Sequence, residues 1–107
     1  MDIRTYIENE TGIPTADVAF TKPQKLPFIA VLDRTDEDGD DYHARIVSHD
    51  LVVEFYTERI DAGREKRIEA AFEKQAWKIS KERIWLNTEK MFETVYRTNF
   101  IEKREKE

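Results

Sequence analysis

The chain has no cysteine, and among its 107 residues it has only three glycines, three prolines and two histidines. Without cysteine there can be no disulfide, no thiolate zinc site and no cysteine nucleophile, which suits a reducing compartment. The glycines stand far apart, at Gly12, Gly39 and Gly63, so they cannot form a glycine-rich phosphate cradle. No apolar run approaches the ~20 residues that cross a bilayer. From Asp2 onward the N-terminus alternates charged and apolar residues, which is not the pattern of a signal-peptide core. A basic excess is also missing. Eighteen Lys and Arg face 23 Asp and Glu, and the formal charge of −5 argues against binding that depends on neutralising phosphates.

What is present suffices for one ordinary α+β domain over residues 1–107. Apolar residues make up 39% and aromatics 11%, enough for one modest core, while 38% charged residues supply a wet surface. Ile3, Tyr6 and Ile7 fall at helical spacing between a capping Asp2 and a terminating Gly12. Val18 to Phe20 is a brief apolar run, and Pro23 and Pro27 deny the following Lys22 to Pro27 segment regular pairing. Phe28 to Leu32 reads as a strand covered on both faces. Asp33 to Asp41 carries six acidic residues and Gly39, and predicts a hairpin loop.

His43 to Thr57 reads as a long strand with Leu51, Val53 and Phe55 on one face and a bend or bulge near Ser48 to Asp50. Asp61 caps an amphipathic helix carrying Ile68, Ala71, Phe72, Gln75 and Ala76 on one stripe. Trp77 to Leu86 and Met91 to Ile101 supply two more extended runs; on the last, Phe92, Thr94, Tyr96, Thr98 and Phe100 share a face. Residues 102–107 are all charged and predict a frayed tail. The expected architecture is therefore a mainly antiparallel sheet of four to five strands, with one short N-terminal helix and one longer helix packed on it.

Candidate chemistry is sparse. Asp36, Asp38 and Gly39 match three positions of a calcium-binding EF-hand loop, but Arg34 and Arg45 occupy the two principal carboxylate positions. His43 and His49 share a strand face about 20 Å apart, too far to hold one metal, and read as surface or edge residues. Ser48 lies on the opposite face from His49, so no nucleophile and base converge there. Glu69 and Glu73 sit on a helix surface among Lys66, Arg67 and Lys74, a salt-bridge pattern. Trp77, Trp85, Tyr96 and Phe100 read as core. Catalytic residues, metal ligands and cofactors are all expected to be absent.

Several phrases nevertheless resemble one family. Asp2-Ile3-Arg4-Thr5-Tyr6-Ile7 with Thr11-Gly12-Ile13-Pro14, then Lys22-Pro23-Gln24-Lys25-Leu26-Pro27-Phe28, look like the opening of the small tail-completion and tail-terminator proteins that join heads to tails in long-tailed bacteriophages. Leu51-Val52-Val53-Glu54-Phe55-Tyr56 and Met91-Phe92-Glu93-Thr94-Val95-Tyr96 are similar to later family phrases. The resemblance implies a non-enzymatic protein of the virion tail or neck, assembled in the bacterial host cytoplasm. Six copies would form a ring between tail tube protein and head connector protein, through which DNA passes without specific binding.

A heterologous ring needs two different surfaces, and two loops of opposite charge are the expected contacts. One holds Lys22, Pro23, Lys25 and Pro27; the other holds Asp36, Glu37, Asp38, Gly39, Asp40, Asp41 and Tyr42. A subunit of this length has an expected radius of gyration near 13 Å. A second class of function stays open, a monomeric acidic inhibitor or adaptor that binds a basic host partner.

Overall fold

The computed structural model describes residues 2–17, 25–39 and 44–105. Asp2 opens helix α1 (Ile3–Thr11) by accepting from the Thr5 hydroxyl and the Thr5 amide, which together keep its own carboxyl below the usual carboxylate range. Gly12 ends the helix at φ 73°, and its amide closes onto the Glu8 carbonyl at 2.8 Å. Strand β1 (Thr15–Asp17) runs parallel to β2 (Phe28–Gly39), and β2 is antiparallel to β3 (Ala44–Thr57). Helix α2 (Ala62–Lys74) follows, capped by the Asp61 carboxylate on the Arg64 amide. Strands β4 (Ser80–Leu86) and β5 (Met91–Glu105) complete a five-stranded sheet in the order β1-β2-β3-β5-β4.

One face of the sheet carries the core. Strand alternation turns Ile29, Val31, Leu51, Val53, Phe55 and Tyr96 to this side, where Ile3 and Ile7 of α1 and Ile68 and Phe72 of α2 meet them. Tyr6 ties the helices together, its hydroxyl donating to the Ala71 carbonyl at 2.7 Å. The expected helix stripe is observed through Phe72; Gln75 caps the helix and Ala76 leaves it at φ 59°. Trp77, Ile79 and Phe100 pack against the core, with Trp77 stacked on Phe100 at 4.4 Å. Trp85 departs from the expected core role: it is 45% exposed at the edge strand and leans on Phe92.

Three further expectations change. The acidic run is strand as far as Gly39, paired without interruption up to Gly39 opposite Arg45. Cross-strand partners offset its poor β propensity, since Arg34 stands opposite Asp50 and Asp33 meets His49. No bulge interrupts β3 near Ser48 to Asp50, because β3 is bonded along both edges and a bulge would break two ladders. Residues 102–105 continue β5 up to Glu105 opposite Ala44, so they are not frayed. His43 lies outside the described residues, as do Val18 to Phe20.

The three long strands make the molecule 51 × 28 × 22 Å, with a radius of gyration of 15.3 Å instead of the expected 13 Å.

Candidate interaction surfaces

Of the two segments expected to meet a neighbour, the described residues lie at opposite ends of β2. Lys25 is exposed and Pro27, after a cis Leu26–Pro27 bond, is half-buried just before the strand begins. Asp36 and Glu37 are exposed near its far end, where Asp38 and Gly39 finish the strand, so about 35 Å of extended chain separates the groups. Lys22, Pro23, Asp40, Asp41 and Tyr42 lie outside the described residues. Pro27 borders a cleft of about 350 Å³ with Leu26, Thr57, Ile60 and Ala62. Beside it Ile60 is 54% exposed, and the buried Thr57 hydroxyl has no hydrogen-bond partner among the described residues.

His49, expected at the surface, is 4% exposed. Its Nδ1 lies 2.9 Å from Asp33 Oδ2 and its Nε2 lies 3.2 Å from Glu102 Oε1, while the ring stacks on Phe100 at 4.3 Å. The residue thus bridges β2 and β5 across β3 at the edge of a cleft of about 300 Å³ that Trp77 and Gln75 also line.

Glu65 is 2% exposed under α2. Burial pushes its carboxyl up, but Arg83 at 2.6 Å and Lys81 at 2.7 Å outweigh that effect and leave it below the usual range. Glu69 accepts from Lys81 and from the Tyr96 hydroxyl, which burial and that bond raise above the ordinary phenol value. Glu69 thus forms a salt bridge, but with Lys81 of β4 and not with the helix neighbours Lys66, Arg67 or Lys74, and it adds a contact to the core.

The opposite face of the sheet is different. Among the described residues no helix packs on it. Ala30, Val52, Val95, Ile84 and Leu86 are turned to this side, and Leu32 is 36% exposed there. In their midst the Tyr56 hydroxyl lies 2.7 Å from Glu93 Oε2 and 3.2 Å from Glu54 Oε2. The hydrogen bond with Glu93, then burial, then the Glu93 charge raise Glu54 to about 7. Near neutrality the Glu54 carboxyl is therefore about half protonated. Burial and the Glu93 contact raise the Tyr56 phenol, so it stays a donor.

A raised folded-state pKa means that this contribution to stability is complete below the unfolded value of 4.5 and is lost as pH rises through about 7. Glu54→Gln is expected to leave stability unchanged at pH 4 and to raise it by about 1 kcal/mol at pH 8, a figure discounted for the water that screens this half-exposed pair. Urea midpoints at the two pH values check this, and equal shifts at both would contradict it. Sequence reading missed the pair because Glu54 and Glu93 are joined only by the β3–β5 register. The one local sign was a lone acid in each of two otherwise apolar phrases.

Among the described residues no group of three or more His, Cys, Asp or Glu is placed to hold a metal ion, and no helix is long and apolar enough to cross a membrane. No protein-family model matches the chain, and no curated protein matches it. Among solved structures, the fold is similar to a chain from a structure described as the virion of a native gene transfer agent particle. The TM-score is 0.51 at 13% identity, covering 94% of this chain and 84% of the other. At that identity the likeness is one of fold.

Proposed function

We propose that the chain is a structural component of a phage-like particle, acting at the head-tail interface as a tail terminator or tail completion protein. In this reading six copies close into a ring that joins the tail tube protein to the head connector protein and lets DNA pass. No catalysis is required of it, and its place is the virion. The observation that carries the reading is the fold likeness to a virion chain, which takes in nearly the whole of both molecules. The phrases shared with head-tail joining proteins support the more specific station.

Shape and charge are compatible with that station. Six bodies 28 Å wide, standing with their long axes along the ring axis, enclose an opening of about 30 Å, wider than a duplex of about 20 Å. A net charge of −5 favours passage of DNA over retention, because phosphates are not attracted to an acidic lining. Electron microscopy of lysates from the parental phage, with and without this gene, tests the proposal. Loss of the gene is expected to leave unjoined heads and tails, or tails of abnormal length; intact infectious particles would overturn it.

A further inference from the structure

The molecule has two unlike broad surfaces on opposite sides of one sheet. The helix side presents the outward residues of α2, where Arg64, Lys66, Arg67 and Lys74 are exposed beside one exposed carboxylate, Glu73. Arg64 is held by Asp61 and Lys74 by Glu10, whereas Lys66 and Arg67 have no carboxylate within ion-pair distance among the described residues. The sheet side presents the Glu54–Tyr56–Glu93 group beside the exposed Leu32 and the half-buried Val52 and Ile84, with the exposed Arg97 on the same face.

Such a face is poorly suited to water, and the carboxylate pair limits what can cover it. Arg97 shares this face and draws Glu54 down a little, but its guanidinium lies 3.9 Å from Glu82, so a purely apolar partner would desolvate the two acids without giving them a bonded cation. A cationic side chain on an aliphatic stem meets both requirements: the stem lies along the apolar residues, and the head takes both carboxylates. A guanidinium is the better head, since its fork reaches two acceptors at once.

We propose that the open sheet face is the seat of the α2 outer surface of a second copy of this chain, with Arg67 and Lys66 meeting Glu54 and Glu93. The inference rests on the ring reading above and adds the contact that would close the ring. The two surfaces lie on opposite sides of one subunit, so the contact is heterologous: each copy offers its helix to one neighbour and its sheet to the next. Every sheet would then be covered on both faces, by its own helices and by a neighbour's.

The absence of cysteine makes the test direct. Val52→Cys places a thiol beside Glu54 on the sheet face, and Ala70→Cys places one on the exposed side of α2. With a short bis-maleimide, an equimolar mixture of the two single variants is expected to give cross-linked dimers, each variant alone none, and the double variant a ladder ending at a closed ring. Glu54→Lys/Glu93→Lys in the Val52→Cys chain should lower the yield about tenfold, and Lys66→Glu/Arg67→Glu in the Ala70→Cys partner should restore it. A cooperative urea transition in each variant shows that it is folded.

Sedimentation of the wild-type chain separates the two ideas. Oligomers without the mixed cross-link would overturn this interface and leave the ring standing. Monomers at every concentration without the cross-link would overturn it as a contact the chain makes by itself, and the ring would then be judged on particles alone. Equal self-linking of Ala70→Cys would replace it with a symmetric dimer.

Discussion

Phe72→Ala is expected to cost about 3–5 kcal/mol of folding stability, a large part of what a domain of this size possesses. Phe72 is 1% exposed, and its ring meets Tyr96 edge-on at 5.4 Å and Trp77 at 6.0 Å. It is the point where α2, the sheet and the segment leaving the helix converge. Tyr96 is fixed by its hydroxyl on Glu69 and by the β5 ladder, so the site cannot collapse to fill the space. Chemical denaturation checks the value, and a loss below about 1 kcal/mol would mean that the helix is not held through this residue.

Removing Arg83 carries the second-largest effect. Glu65 is buried, and two cations and the Thr94 hydroxyl hold it in its charged form. Arg83→Met leaves the carboxylate with Lys81 alone, for an expected loss of about 2 kcal/mol at pH 7, less than full isolation of a buried charge would cost. The paired change Glu65→Leu/Arg83→Met should recover most of it, because the demand for a cation goes with the acid.

The pH dependence follows from the sign of the shift. Glu65 is depressed, so its contribution is present above the unfolded value of 4.5 and is lost as pH falls through its folded-state pKa. In Arg83→Met that acid-side loss should shrink. A full-sized loss from Arg83→Met that persists in the paired variant would show that Arg83 acts through packing and not through charge.

Features whose cause is local could be read from the sequence. Asp2 and Asp61 cap their helices as expected, Gly12 ends α1, and the Ile68-Ala71-Phe72 spacing reaches the core because helix period and burial agree. The Leu51-Val53-Phe55 and Thr94-Tyr96-Thr98 faces were legible for the same reason, through the period of two. Features decided by distant pairing were not. Asp33 to Gly39 has the composition of a loop, yet it is strand because residues 45–51 lie opposite it.

His49 has the spacing of a surface residue, yet it lies between partners 16 and 53 positions away. Glu54 and Glu93 look like ordinary solvated acids until the register sets the Tyr56 hydroxyl between them. Of the two segments read as contact surfaces, the described residues place one at each end of β2. That separation suits a heterologous contact; the more specific surface now proposed, the open sheet face, had no signature in the sequence.

A cryo-electron microscopy reconstruction of the head-tail junction, in particles produced by the strain that carries this gene, tests the proposed ring. The expected result is a closed ring of this five-stranded fold between tail tube and head connector, with each open sheet face covered by a neighbour. A junction without this fold, together with a chain recovered as a monomer in a salt-sensitive 1:1 complex with a basic host protein, would contradict it and establish the acidic-inhibitor role.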